Sequence, residues 1–232
     1  MKFNDRILIV EDEEHIRKFI KINLEKNDFI VREANTGERA LEIAKEESID
    51  IVILDIMLPG IDGFQVCKEL REQFPAIGII MLTAKSQDID KIMGLEYGTD
   101  DYMVKPFNPK ELILRVKSLL RRMETTKEDN FNTIVDGPFK IDKYSRKFYK
   151  NGKEIELTPT EYSIIKLFIE NSGKAFNRDE ILNMVWGYDF IGDSKIVDVN
   201  IRRLRSKIES DSSKPYYIET VWGIGYRWKN LE

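Results

Sequence analysis

Three carboxylates stand where short apolar runs end. Glu11 and Asp12 follow Arg6–Val10, and Asp55 closes Ile51-Val52-Ile53-Leu54. Acids brought close together repel and do not all stay ionised without a cation. Carboxylate oxygens with room for water suit octahedral Mg²⁺, which takes few protein ligands and leaves positions for phosphate oxygens. Glu13 and Glu14, next in line, read instead as an acidic first helical turn favoured by the helix dipole. An ionisable group closing an apolar run, as Asp55 does, has no such explanation. Two more polar residues end apolar runs: Thr83 after Gly78–Leu82, and Lys105 after Asp101–Val104, just ahead of Pro106. A hydroxyl and an ammonium placed there can receive the oxygens of a phosphoryl group on Asp55, with lysine and metal offsetting its charge. Alone, Thr83 would pass for a strand residue and Lys105 for a surface lysine. Taken in order, acid pair, acid, hydroxyl and lysine describe one phosphoryl pocket.

For these groups to meet, the runs that carry them must be strands of one parallel sheet. Candidate strands are Arg6–Val10, Phe29–Arg32, Asp50–Leu54, Gly78–Leu82 and Asp101–Val104. Helical spacing falls between them, at Ile16/Phe19/Ile20/Leu24, Ala40/Leu41/Ile43/Ala44, Phe64/Cys67/Leu70 and Ile89/Ile92/Met93/Leu95, and again in Pro109–Arg122. Alternating strands and helices predict an α/β domain over residues 1–122. In such sheets the first and third strands flank the point where winding reverses, and sites form at the carboxyl ends there.

Residues 123–132 are polar and aperiodic, which reads as a linker. The grammar then changes. Thr133–Leu157 reads as short strands, with Asn151-Gly152 as a hairpin turn. Thr158-Pro159-Thr160-Glu161 is a capping box with proline at the first helical position, and Asn177–Glu180 repeats the cap. A third helix is expected from Lys195 to Glu209, then strands Tyr216–Val221 and Tyr226–Lys229 joined across Trp222–Gly225. On that third helix Val197, Ile201, Leu204 and Ile208 share one face, with Lys195, Val199, Arg202, Arg203 and Ser206 opposite. Five basic residues from Lys195 to Lys207 face a single acid, Asp198. A packed stripe backed by arginines is what a helix entering the DNA major groove requires.

Composition bounds these readings. The 232 residues are enough for two modest domains, and a 42% hydrophobic content excludes wholesale disorder. A lone cysteine, Cys67, excludes an internal disulfide framework and, like His15, offers no metal site. No apolar run approaches the roughly 18 residues of a membrane helix. The N-terminus lacks a signal peptide's apolar core, so a soluble cytoplasmic protein with no membrane partner is expected. The net charge of −4 lies in the first 122 residues, with 19 basic and 23 acidic, against 18 of each in the rest. Neither half is basic enough to announce nucleic acid by composition alone.

Residues 1–122 resemble the receiver domain of two-component response regulators. The motifs are Ile9-Val10-Glu11-Asp12-Glu13, Ile53-Leu54-Asp55-Ile56-Met57-Leu58-Pro59-Gly60-Ile61-Asp62-Gly63, Leu82-Thr83-Ala84 and Asp100-Asp101-Tyr102-Met103-Val104-Lys105-Pro106-Phe107. The resemblance implies a five-stranded parallel sheet of order 2-1-3-4-5 flanked by helices, and phosphorylation of Asp55 by a sensor histidine kinase. It implies Mg²⁺ held by Asp12, Asp55 and the Met57 carbonyl, with Glu11 acting through water, Thr83 and Tyr102 as a switch pair, and a cis peptide before Pro106. Such a protein is a phosphoacceptor, with slow self-dephosphorylation at most, rather than an enzyme.

Residues 133–232 resemble the winged helix-turn-helix effector domain of the OmpR/PhoB type, an α+β fold. The motifs are Leu157-Thr158-Pro159-Thr160-Glu161-Tyr162, Val197 through Lys207, and Thr220-Val221-Trp222-Gly223-Ile224-Gly225-Tyr226-Arg227. The resemblance implies that Lys195–Glu209 is the recognition helix, Tyr217–Lys229 the wing, and Gly187–Ser194 a loop able to touch RNA polymerase. Val199 and Arg203 are expected at base edges, and Lys195, Arg202 and Lys207 at phosphates. Where many relatives carry arginine at the wing tip, this chain has Trp222, expected to pack against the wing, with direct DNA contact the alternative, and Arg227 a weak cationic substitute.

Lys91, Glu96, Asp100, Asp101, Glu111, Arg115, Lys117, Arg121 and Arg122 read alone as solvated charge. The resemblance implies interchain salt bridges of a two-fold receiver dimer there, with Leu95 and Ile113 as apolar contacts. Phosphorylation would favour that dimer on promoter DNA with tandem or paired half-sites. Two readings compete: a regulator acting without phosphorylation, and a Mg²⁺-dependent aspartate-nucleophile phosphohydrolase. Against the second, such hydrolases place a general-acid aspartate two residues after the nucleophile, where this chain has Met57.

Overall fold

The computed structural model describes residues 5–84, 97–124, 133–188, 190 and 193–231. They form two compact units, Met1–Arg121 and Arg122–Glu232. The expected helix around Ile89–Leu95 and most of the expected linker lie outside the described residues, although Met123 still belongs to a helix.

The first unit is a parallel sheet built from β1 (Arg6–Val10), β2 (Ile30–Ala34), β3 (Ile51–Asp55), β4 (Gly78–Thr83) and β5 (Asp101–Val104), in the order β2-β1-β3-β4-β5. Every residue of β3 and β4 is buried. Their unbroken Ile/Val/Leu runs are what a strand covered on both faces requires. Winding reverses between β1 and β3, so their carboxyl ends open onto a crevice instead of a helix.

Among the described residues, four helices flank the sheet: α1 (Glu14–Glu25), α2 (Gly37–Glu46), α3 (Gly63–Gln73) and α4 (Pro109–Met123). Thr36 caps α2 by accepting from the Arg39 amide at 3.2 Å, and Asp62 caps α3 by accepting from the Gln65 amide at 2.8 Å. Leu112, Val116, Leu119 and Leu120 are the buried stripe of α4. Cys67 is fully buried and its thiol donates to the Tyr97 carbonyl at 3.1 Å, whereas His15 is exposed beside Glu13.

The second unit begins with an antiparallel meander, β6 (Thr133–Asp136), β7 (Phe139–Asp142), β8 (Lys147–Lys150) and β9 (Lys153–Ile155). Asn151 and Gly152, at φ 51° and 77°, make the two-residue turn between β8 and β9. Then come α5 (Pro159–Glu170), β10 (Ala175–Asn177), α6 (Arg178–Val185), α7 (Lys195–Ile208), β11 (Ile218–Val221) and β12 (Gly225–Trp228). Both capping boxes form, at Thr158/Glu161 and Asn177/Glu180. Phe139, Phe148, Phe168, Phe176, Trp186 and Trp228 fill the core. Strand β10 was not expected from the sequence. Three residues carry no periodicity, and β10 exists by pairing with β12, which joins the wing hairpin to the start of α6.

One close approach fixes the loop after Asp55. A Cβ added at Gly63 would lie 2.1 Å from the Asp55 carbonyl oxygen and 2.8 Å from the Ile56 Cα, both backbone atoms. The start of α3 therefore rests directly on the end of β3. We expect Gly63→Ala to destabilise the first unit by about 3 kcal/mol through overpacking. An unchanged urea midpoint would show that α3 can slide away.

Candidate functional site

Sheet register brings the expected pocket together. Val10 pairs with Leu54, Asp55 with Leu82, and Thr83 with Val104, so Glu11, Asp55, Thr83 and Lys105 leave adjacent strand ends. Carboxylate oxygens of Glu11, Asp12 and Asp55 all lie within 4.8 Å of one another. Glu11 and Asp55 are buried and Asp12 is exposed, so the cluster has one open side.

The Lys105 ammonium donates to Glu11 Oε2 at 2.6 Å and to Asp55 Oδ2 at 2.8 Å. The peptide between Lys105 and Pro106 is cis. The Met57 amide donates to Asp55 Oδ1 at 3.3 Å, and the Glu13 amide to Glu11 Oε1 at 3.3 Å. Thr83 and Tyr102 are both buried.

Burial raises the Glu11 carboxyl to about 7; the Lys105 bond opposes that rise and the Asp55 charge reinforces it. Burial works against the Lys105 ammonium too, yet its bonds to Asp55 and Glu11 hold it above the usual lysine range. Two acids flank one lysine, with a third acid on the open side. That donor set, hard oxygens of net negative charge, fits Mg²⁺.

In the second unit, α7 turns Ile196, Val197, Asn200, Ile201, Leu204 and Ile208 inward. Lys195 and Arg202 are exposed, as the wheel requires, whereas Val199 on the same face is half-buried. Arg203 departs from expectation at 4% exposed. It lies three residues after Asn200 and seven after Ile196, on the flank of the buried stripe and not opposite it. Lys207 donates to Glu161 Oε2 at 2.7 Å and to the Glu156 carbonyl at 2.9 Å, so it braces the start of α5. Arg227 is paired with Glu219 at 2.8 Å. Trp222 does not pack against the wing as expected but stands 91% exposed at its tip, where the chain reverses through Gly223 at φ 76°.

The sequence pattern of the family described as "Response regulator receiver domain" matches residues 7–117, and that of "Transcriptional regulatory protein, C terminal" matches residues 152–228. The chain is 45% identical over 231 residues to the alkaline phosphatase synthesis transcriptional regulatory protein PhoP of Bacillus subtilis, covering 97% of this chain and 96% of that one. This chain belongs to the OmpR/PhoB-type response regulators. Among solved structures, a single-site mutant of RitR is similar with a TM-score of 0.81 at 27% identity, covering 97% of this chain and 99% of that one. DrrB, an OmpR/PhoB homologue from Thermotoga maritima, is 35% identical with the same coverage and a TM-score of 0.52.

Two features of this response regulator were not anticipated. Asp198, the acid on α7, accepts from Arg178 Nε at 2.7 Å and from the Tyr226 hydroxyl at 2.8 Å. Arg205 donates to the Ile218 carbonyl through Nε at 3.0 Å and Nη2 at 2.7 Å, and to Thr220 Oγ1 at 2.9 Å, pinning the wing strand to α7. The partners come from α6, α7 and the wing, so no local pattern could reveal them.

The expected dimer face is corrected in part. Asp100 is buried against Arg71, and Asp101 is buried against Arg115 at 2.8 Å; Arg115 also pairs with Glu111 at 2.7 Å. Ile113 and Arg122 are buried as well, while Arg121 is exposed and Lys117 donates to Asn27 at 3.1 Å. Asp100 precedes β5 and Asp101 opens it, and pairing with arginine holds both acids inside the fold. Lys91, Leu95 and Glu96 lie outside the described residues. Among those described, no helix is long and apolar enough to cross a membrane.

A raised Glu11 value sets a pH dependence. The folded chain keeps a proton that the unfolded chain sheds above about pH 4.5, so stability from this group falls as pH rises to about 7. In EDTA, the urea midpoint of Glu11→Gln relative to the parent should improve steadily from about pH 5 to about pH 7. A constant difference would show that Glu11 is ionised throughout.

Proposed function

We propose that Asp55 accepts a phosphoryl group from a sensor histidine kinase and that the modified chain regulates transcription at promoter DNA. The observation that supports this most is the half-buried Lys105 ammonium shared between the buried carboxylates of Glu11 and Asp55. Asp55 Oδ attacks phosphorus, the P–N bond of a phosphohistidine breaks, and the imidazole leaves with the electron pair. Asp12, Asp55 and the Met57 carbonyl would hold Mg²⁺, with Glu11 assisting through water. When bound, the ion neutralises phosphoryl oxygens and aligns them for in-line transfer.

The chain's own groups do the rest. Lys105 holds Asp55 Oδ2 by a hydrogen bond at 2.8 Å and lies ready to pair with the incoming charge. Thr83, next to Asp55 across the sheet register, supplies a hydroxyl to a phosphoryl oxygen, and Tyr102 follows it as the second half of a switch. Because an acyl phosphate hydrolyses, the added charge is reversible and biases a two-state domain for a limited time.

In the second unit, α7 presents Lys195, Val199 and Arg202 to the major groove, with Trp222 at the adjoining wing tip. Pairing of two phosphorylated copies would place two such helices on tandem or paired half-sites. The loop between α6 and α7 is the surface offered to RNA polymerase.

Incubation with acetyl phosphate and Mg²⁺ should add one phosphoryl group to the parent and none to Asp55→Asn, read by intact mass. Addition to another residue in the variant would overturn the assignment. Arg202→Ala should weaken binding to all DNA alike and reduce the slope of log affinity against log salt by about 1. A slope equal to the parent's would remove Arg202 from the phosphate contacts.

A further inference from the structure

We propose that Arg17, braced by Glu33, is the positioning residue that sets the Glu11–Asp12 loop for a divalent cation. The inference rests on the metal reading of the pocket above.

Side chains of adjacent residues in an extended strand point to opposite faces, so Glu11 and Asp12 cannot share a pocket while the chain continues as β1. The backbone must turn directly after Val10, and something must hold that turn. The usual device is a capping side chain at the start of the next helix, but the N-cap residue of α1, Glu13, makes no such hydrogen bond. The Glu11 amide is tied to the Ala34 carbonyl at 3.1 Å, which leaves the carbonyls of the turn to be held.

Arg17 holds them. From the first turn of α1 its Nη1 donates to the Glu11 carbonyl at 2.7 Å and to the Asp12 carbonyl at 3.1 Å. Its Nε lies 3.5 Å from Glu33 Oε1 on β2, and the side chain is 16% exposed. Glu33 is itself fixed from its other oxygen by Lys21 at 2.5 Å. One guanidinium nitrogen thus grips two successive backbone oxygens of the residues whose carboxylates line the pocket. Because it binds their carbonyls, the carboxylate oxygens stay available to a cation. Glu33 orients the guanidinium as an outer partner orients a metal ligand. The planar guanidinium separates two tasks, Nη1 on the carbonyls and Nε toward Glu33, whereas lysine has a single nitrogen for both.

The test is a titration of the isotope-labelled full chain with MgCl₂, following the backbone amide shifts of Asp12 and Met57, with thermal midpoints measured separately in EDTA. Arg17→Met should raise the MgCl₂ midpoint about 10-fold, the cost typical of losing an outer partner of a metal ligand. Arg17→Lys should fall between Arg17→Met and the parent. Glu33→Gln should shift the midpoint in the same direction by less, and it carries the test if Arg17→Met does not fold. A variant whose thermal midpoint drops while its MgCl₂ midpoint equals the parent's would overturn the proposal, since Arg17 would then only stabilise the helix start. If the parent itself shows no saturable shift, the metal reading fails first and the positioning role falls with it; that failure is visible without any variant.

Discussion

An ammonium held between two buried carboxylates is the interaction on which the first unit depends. Glu11 and Asp55 leave neighbouring strands at a point where the sheet forces them together, and neither can retreat into water. Without Lys105 between them their repulsion would have to be relieved by protonation or by splaying the strand ends. The bond from Lys105 opposes the burial that draws Glu11 toward its neutral form, so the cluster keeps negative charge to attract a cation. Under the proposed phosphorylation the same lysine would turn to the new anion on Asp55, because its N–H donors also suit a phosphoryl oxygen.

The surrounding architecture serves to keep those groups in place. Gly63 allows α3 to rest on the backbone of Asp55 and Ile56, which limits movement of the loop bearing Met57. Arg17 grips the opposite rim from α1. Asp100 and Asp101, which read from sequence as free surface charge, are instead bound inside the fold by Arg71 and Arg115. Those pairs anchor the start of β5 and hence the strand that delivers Tyr102 and Lys105.

The second unit solves a different problem, that of holding a basic helix and a hairpin at a fixed relation. Arg205 commits its donors to β11, Lys207 to the start of α5, and Arg178 with Tyr226 to Asp198. Of the basic residues on α7, Lys195 and Arg202 are left on the open face. Basic count alone therefore overstates the contacts this helix can offer to a polyanion, since several of its charges hold the domain together.

The sequence by itself determined the alternation of strands and helices in the first unit, the two capping boxes, the Asn151-Gly152 turn and the acids and lysine that meet at the strand ends. Each of these rests on local chemistry: strand and helix periods, cap stereochemistry, and polar groups that end apolar runs. Tertiary structure alone decided which charges are buried and which exposed. Arg203 and Arg122 differ from Arg202 and Arg121 by a single step along a helix, yet that step rotates a side chain by about 100° from solvent to interior. Strand β10 and the Asp198 cluster likewise exist because distant segments meet, and a pairing energy between remote residues leaves no mark in the local pattern of either.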